Sequence, residues 1–288
     1  MNRLTGNTPL VKISSMLYAK FECYNPTGSI KDRIIEYITS RAKSRGELLS
    51  GMTLIEATSG NTGIALAAYG AVHGHPVKIV MPENMSKERR LMLEAYGAEI
   101  INVEKSDFTG AIQLRDELVK KHAYWTPNQF KNPLNIECHK LITGPEILNN
   151  LRDLAKWIPW KWGAFVSGAG TGGTMMGIHE FLSGPAYPHN VKRILAIPAE
   201  PATKHGIQGI NDGADFLLDK NLMDEIIEVS TADAKQRVAT LACESGLFVG
   251  ISSGANIVAS EKWLAANPAG GIVVTILCDR GERYMSVP

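Results

Sequence analysis

The chain has almost no net charge to offer a polyanion. Its 30 lysines and arginines are balanced by 29 aspartates and glutamates, leaving a formal +1. The basic residues are scattered, so neither nucleic acid nor an anionic membrane is an expected partner. Cysteine is scarce as well: Cys23, Cys138, Cys243 and Cys278 stand far apart, with no C-x-x-C pair and no metal-ligand spacing. That excludes a disulfide scaffold, gives no metal site, and fits a reducing, cytoplasmic compartment. No apolar run approaches the ~20 residues of a membrane span, and no basic-then-apolar signal pattern opens the chain. Repeats and low-complexity tracts are also lacking. What is present is a chain of 288 residues, 44% hydrophobic, long enough for two domains or one large α/β unit acting on a small molecule.

Short β-branched runs alternate with helical patterns along most of that length. Strands are predicted over Thr8–Ile13, Leu17–Cys23, Thr53–Ala57, Val77–Met81, Ile100–Val103, Ala164–Ser167, Arg193–Pro198, Phe248–Ile251 and Ile272–Cys278. Helices are predicted over Ser29–Ser44, Ile64–Val72, a stretch opening within Glu83–Arg90 and ending at Gly97, Gly110–His122, Ile142–Leu154, Thr174–Leu182, Ala232–Ser245 and Ala255–Ala266. This rhythm predicts an α/β protein of parallel sheets covered by helices on both faces. The turn-rich segment from Thr126 to Pro133 is the expected domain boundary. The expected division is a smaller domain over 25–132 and a larger one over 1–24 with 133–288.

The stretch Asn25-Pro26-Thr27-Gly28-Ser29-Ile30-Lys31-Asp32-Arg33 holds the sharpest local signal. Pro26 and Gly28 mark a turn, and Ser29 with Asp32 spells a capping box ahead of Ile34, Ile35 and Ile38. Lys31 therefore sits in the first turn of a helix, where unpaired N–H groups and the helix dipole disfavour a cation and push the amine's pKa down. A more neutral amine suits Schiff-base chemistry with an aldehyde, followed by general-base work. Taken alone, the stretch reads more readily as a solvated lysine partnered by Asp32.

In open α/β sheets ligands bind beyond the carboxyl ends of the strands, and three further turns lie there. Thr58-Ser59-Gly60-Asn61-Thr62 gathers hydroxyls and an amide at a helix N-terminus, a cradle for a small carboxylate or simply a well-capped turn. Gly168-Ala169-Gly170-Thr171-Gly172-Gly173-Thr174 opens a helix after a strand, so successive N–H groups converge on a phosphate. It also spells G-x-G-x-x-G, the mark of a dinucleotide-binding oxidoreductase with Glu200 as the ribose-binding acid. Glu200 comes later than the ~20 residues that fingerprint requires. Ser252-Ser253-Gly254, expected between a strand and a helix, offers a neutral hydroxyl or a helix cap.

Together with Gly6-Asn7-Thr8-Pro9-Leu10, Glu56 to Gly63, Gly250 to Gly254 and Gly281-Glu282-Arg283-Tyr284, these motifs resemble the cysteine synthase (O-acetylserine sulfhydrylase) family. These are fold-type II pyridoxal-phosphate enzymes with a tryptophan synthase β-like fold. The resemblance covers nearly the whole chain. Met81 to Ser86, Glu88-Arg89-Arg90 and Cys278 to Gly281 look like the B-type isozyme, whereas Ile207-Gln208-Gly209-Ile210 looks A-type.

The resemblance implies that Lys31 carries pyridoxal 5'-phosphate and is the catalytic residue. Gly170, Thr171, Gly172, Gly173 and Thr174 would hold the cofactor phosphate, Asn61 the ring hydroxyl, and Ser252 the pyridine nitrogen. Thr58, Ser59, Asn61, Thr62 and Gln129 would hold the substrate. It further implies a transferase that makes L-cysteine and acetate from O-acetylserine and sulfide, or uses thiosulfate, with the smaller domain closing over the substrate. A homodimer and a serine acetyltransferase partner are expected on the same ground. A serine or threonine dehydratase, a cystathionine β-synthase-like enzyme and a non-catalytic regulatory relative are the alternatives. The chain departs from the family in a short loop between Ile13 and Leu17 and in stopping at Pro288, features that bear on the dimer.

Overall fold

The computed structural model describes residues 4–58, 60–155, 161–184, 190–202, 204–210 and 214–286. In chain order, β1 (Leu10–Lys12) and β2 (Leu17–Phe21) precede α1 (Lys31–Ser44), β3 (Leu54–Ala57), α2 (Asn61–His73), β4 (Val77–Pro82) and α3 (Lys87–Ala95). Then come β5 (Glu99–Val103), α4 (Phe108–His122), α5 (Leu134–Cys138), α6 (Gly144–Ala155), β6 (Trp162–Gly168) and α7 (Gly173–Leu182). The chain continues through β7 (Lys192–Pro198), β8 (Glu225–Val229), α8 (Thr231–Ser245), α9 (Ile251–Ala266) and β9 (Ile272–Leu277). Two compact units result, one built chiefly on Asn25–Asn132 with the chain from Glu282 onward, the other on Gly6–Tyr24 with Pro133–Gly281.

The smaller unit is organised on a parallel sheet in the order β3-β4-β5. Beyond β3, Trp125 forms a parallel bridge to Leu54, so the chain that follows it runs past the end of β3. Ile55, Ala57 and Val80 pack with Ala111 of α4, and Ile101, Val103, Leu118 and Val119 extend that cluster. Helix α2 is enclosed from Thr62 to Gly70, which is why its sequence, Ile64-Ala65-Leu66-Ala67-Ala68, is apolar on every side rather than along one stripe.

The larger unit has a sheet in the order β1-β2-β9-β6-β7-β8. Its pairings are parallel except β1 with β2, which are antiparallel. β6 and β9 are buried almost throughout, as continuous runs such as Ile272-Val273-Val274-Thr275-Ile276-Leu277 require of strands covered on both faces. Helix α9 packs on β9, β6 and α8. The fold is α/β with parallel sheets flanked by helices. Among the described residues no helix is long and apolar enough to cross a membrane.

Several local expectations are corrected. Phe248–Ile251 is not a strand: Val249 makes one isolated bridge to Arg280, and Ile251 already opens α9. The helix expected to open within Glu83–Arg90 does so, at Lys87, but ends at Ala95, short of the expected Gly97. The helix expected from Ile142 starts at Gly144, and before it lie α5 and a π-helical turn over His139–Thr143. Strand β8, with the sequence Glu-Ile-Ile-Glu-Val, was not expected; it forms the outer edge of its sheet and stays largely exposed, so it lacks the apolar run that marks a buried strand.

Candidate active site

The lysine turn is built by short-range bonds. Gly28 N–H donates to the Asn25 carbonyl at 2.8 Å, closing a four-residue turn with Pro26 in its second position, and Gly28 takes φ 81°, where a side chain would strain. Lys31 is then the first residue of α1 and is half-buried. The expected capping box does not form as read. Ile30 occupies the cap position with no side-chain cap bond; Ser29 Oγ accepts the Lys31 N–H at 3.3 Å. The buried Asp32 carboxylate instead accepts the Thr27 N–H at 2.8 Å and the Thr27 hydroxyl. Two bonds to one residue of the turn outcompete a single bond back to Ser29.

The loop between β3 and α2 sits in the same unit. Thr58 N–H donates to the Val80 carbonyl, and the Thr58 hydroxyl accepts the Gly60 N–H at 3.1 Å. Ser59 lies outside the described residues. Asn61 is the first residue of α2, and the Thr62 hydroxyl in the same turn donates to Gln129 Oε1 at 2.6 Å. Trp125 delivers Gln129 to that place, because its backbone bonds to Thr53 and Ile55 align the following residues with β3. Thr58, Thr62 and Gln129 are all buried, beside a helix end whose N–H groups favour an anion.

Behind Gln129 lies an ion pair. Gln129 N–H donates to Glu56 Oε2 at 3.0 Å, and Arg115 Nη1 stands 2.5 Å from Glu56 Oε1. Burial pushes the Glu56 carboxyl above the usual carboxylate range, opposed by the Arg115 charge and by the N–H groups of Gln129 and Ala57. Arg115 also reaches Thr126 and Asn128 in the segment that carries Gln129.

In the larger unit the glycine-rich loop joins β6 to α7. The first intrahelical bond runs from Met176 N–H to the Gly172 carbonyl, the Gly173 N–H donates to the Thr171 hydroxyl at 3.4 Å, and the N–H groups of Thr174 and Met175 lie in the first turn, ahead of the helical bonding pattern. Gly172 has φ 86°, and a Cβ on Gly173 would lie 2.0 Å from Asn135 Oδ1. Asn135 Nδ2 donates to the Thr171 hydroxyl at 3.1 Å, and the Thr174 hydroxyl lies 3.2 Å from His139 Nε2. Converging N–H groups, two hydroxyls and no side chain at Gly172 or Gly173 fit a phosphate ester.

Ser252 is buried in the first turn of α9, not between a strand and a helix as expected. The neighbouring Ser253 hydroxyl accepts the Cys278 N–H at 2.9 Å. Asn256, one turn on, ties two strand ends together: its Oδ1 accepts the Gly168 N–H at 2.7 Å and its Nδ2 donates to the Ile276 carbonyl at 2.9 Å. Glu200 has a different task from ribose binding. Its Oε1 accepts the Thr231 N–H at the start of α8, which holds the carboxyl below its usual range.

Sequence reasoning missed Glu56, Arg115, Asn135, Asn256 and Arg283 as supports of these loops. Glu56 did carry a signal, a charged residue inside the otherwise apolar, buried strand Leu54–Ala57.

The family model of the pyridoxal-phosphate dependent enzymes matches residues 1–279. The chain belongs to that family of pyridoxal-phosphate-dependent enzymes. It is similar to the cysteine synthase of Staphylococcus aureus (strain Mu50), 39% identical over 100% of this chain and 96% of that one. It is also similar to cysteine synthase B of Escherichia coli (strain K12), 37% identical over 99% and 94%. Among solved structures, O-acetyl serine sulfhydrylase isoform 3 from Entamoeba histolytica superposes with a TM-score of 0.87 at 38% identity, over 99% of this chain and 89% of that one. Within the family the chain falls among the cysteine synthases, its function is theirs, and its cofactor is pyridoxal phosphate.

Proposed function

We propose that the chain replaces the acetoxy group of O-acetylserine with sulfide, forming L-cysteine and acetate. When bound, pyridoxal phosphate supplies an aldehyde for imine formation and an electron sink that acidifies the carbon bearing the amino group. Lys31 is assigned as the residue that holds the aldehyde, takes the proton from that carbon and later returns it. Its place at the start of α1 favours the neutral amine those tasks need. Gly170, Thr171, Gly172, Gly173 and Thr174 are assigned to the phosphate, Asn61 to the ring hydroxyl and Ser252 to the ring nitrogen. As a neutral hydroxyl, Ser252 does not enforce a protonated ring, which suits departure of a group from the β-carbon.

Thr58, Ser59, Asn61, Thr62 and Gln129 are assigned to the substrate. The observation that carries this reading is the buried Thr62–Gln129 bond at the N-terminus of α2. It fixes a hydroxyl and an amide beside the first turn of α2, an arrangement that orients a carboxylate. Bonds and atoms balance: the carbon–oxygen bond to acetate breaks, a carbon–sulfur bond forms, and the proton that leaves on Lys31 returns to the carbon it left. A cytoplasmic homodimer, with serine acetyltransferase as a further partner, completes the proposal.

The test is to supply purified protein with O-acetylserine and sulfide and to follow cysteine and acetate. Lys31→Ala abolishes both products, and borohydride fixes the cofactor to Lys31 in the unaltered protein. Keto acid formed without sulfide would instead mark a dehydratase, and consumption of homocysteine a cystathionine-forming enzyme.

A further inference from the structure

The geometry points to Arg283 as the positioning residue for the turn that carries Lys31, an inference that rests on the role proposed for Lys31. A turn between a strand and a helix has no ladder partner for its carbonyls, and buried carbonyls need donors. The Arg283 side chain, only 2% exposed, supplies them. Its Nη1 donates to the Gly28 carbonyl at 2.8 Å and its Nη2 to the Thr27 carbonyl. The planar fork of a guanidinium holds two successive carbonyls at once, which an ammonium does not. From the other side, Asp32 accepts the N–H and hydroxyl of Thr27. The turn is clamped at its carbonyls by Arg283 and at its N–H by Asp32, and the direction in which α1 sets out is fixed by both.

Arg283 is itself anchored. Its carbonyl accepts the Ser86 hydroxyl at 3.0 Å, and the Ser286 hydroxyl donates to Glu88 Oε2 at 2.6 Å. Between these bonds the Tyr284 ring lies 4.7 Å beneath the Arg89 guanidinium, a cation–π contact. The stem of Arg89 in turn fills the space a side chain on Gly60 would need: a Cβ there would lie 2.4 Å from Arg89 Cδ. The segment Glu282–Ser286 thus clasps the start of α3, and through it the lysine turn and the loop ahead of α2 share one support. Its action is on where Lys31 stands.

The experiment uses the cofactor-loaded enzyme. Borohydride reduction and peptide mapping first locate the cofactor in the unaltered protein; an adduct on a lysine other than Lys31 overturns the role of Lys31 and this inference with it. With the adduct on Lys31, Arg283→Ala lowers kcat on the order of 100-fold, as small misplacements of a reacting group do, while KM for the amino-acid donor stays within about threefold. Hydrogen exchange of the amides in 27–33 quickens at least roughly tenfold, as expected of a local opening. Methylguanidinium restores activity to Arg283→Ala, and Arg283→Lys stays close to the alanine variant. If Arg283→Ala does not accumulate as folded protein, Arg283→Lys is read by the same exchange and kinetics. Unchanged exchange over 27–33, or a loss confined to KM, overturns the positioning role and leaves Lys31 standing.

Discussion

The carboxylate of Glu56 and the guanidinium of Arg115 face one another at 2.5 Å with both side chains shut away from solvent, 0% and 1% exposed. Two charges so placed are held by each other and by the bonds around them, so removing one leaves the other buried without a counter-charge. Arg115→Met is expected to cost about 3–5 kcal/mol in chemical denaturation. Pairing it with Glu56→Gln recovers part of that loss. In the single variant KM for the amino-acid donor also rises, because the Gln129 backbone is bonded to Glu56.

At the phosphate loop a single methyl group is the probe. Gly173→Ala places a Cβ where Asn135 Oδ1 now lies, 2.0 Å away, and pushes out the side chain that donates to Thr171. Retention of the cofactor through dialysis, followed by its absorbance, is expected to weaken about tenfold, the equivalent of one lost charge-assisted hydrogen bond.

The donor's leaving group supplies a third prediction. Leu217 N–H donates to the Thr171 carbonyl, so the segment from Asp215 to Leu218 is bonded to the glycine loop. Its one described acid, Asp215, pairs with Lys220 at 2.6 Å, and no arginine lies in the loop from Gly206 to Leu218. Asn211 and Asp212, which belong to the same loop, lie outside the described residues. A phosphate leaving group, with about −1.5 to −2 charge, calls for a forked arginine contact. O-acetylserine is expected to exceed O-phosphoserine in kcat/KM with sulfide in excess, and the reverse order would refute this account of the loop.

Acid stability tests the edge of the larger sheet. Burial alone would raise the Asp224 carboxyl, but bonds from the Arg193 side chain at 2.7 Å, the Arg193 N–H and Lys192 outweigh it, lowering it to about 2 from 3.8. A depressed folded-state value means the stabilisation is whole above pH 4 and is lost as pH falls towards 2. Discounted for partial exposure, Asp224→Asn costs about 1 kcal/mol at neutral pH. Thermal melts from pH 6 down to 2 should show the two proteins converging at the acid end.

The turn ahead of Lys31 and the loop ahead of α7 were legible as local structure because what makes them is local: Pro26 and Gly28 within a few residues of the lysine, or alternate glycines opening α7. The α/β rhythm was legible for the same reason. Gln129 entered only by resemblance, since its bond to Thr62 depends on Trp125 lying along β3. Arg283 lay beyond local reading as well, because its carbonyl partners stand at the other end of the chain. Phe248–Ile251 misled because a short apolar run ahead of a helix is compatible with either state, and the backbone takes the helix one turn earlier.

The place of β9 between β2 and β6 sets a timetable for synthesis. Leu17 pairs with Val273 and Phe21 with Leu277, so β2 leaves the ribosome and waits for the translation of roughly 250 residues, at about 5–20 per second, before its neighbour exists. The β3-β4-β5 sheet, by contrast, is complete once a continuous middle stretch has emerged. The nascent chain therefore presents a paired β3-β4-β5 sheet, still without its Glu282–Ser286 clasp, while β1 and β2 show an open strand edge, the surface on which a holding chaperone has most to do.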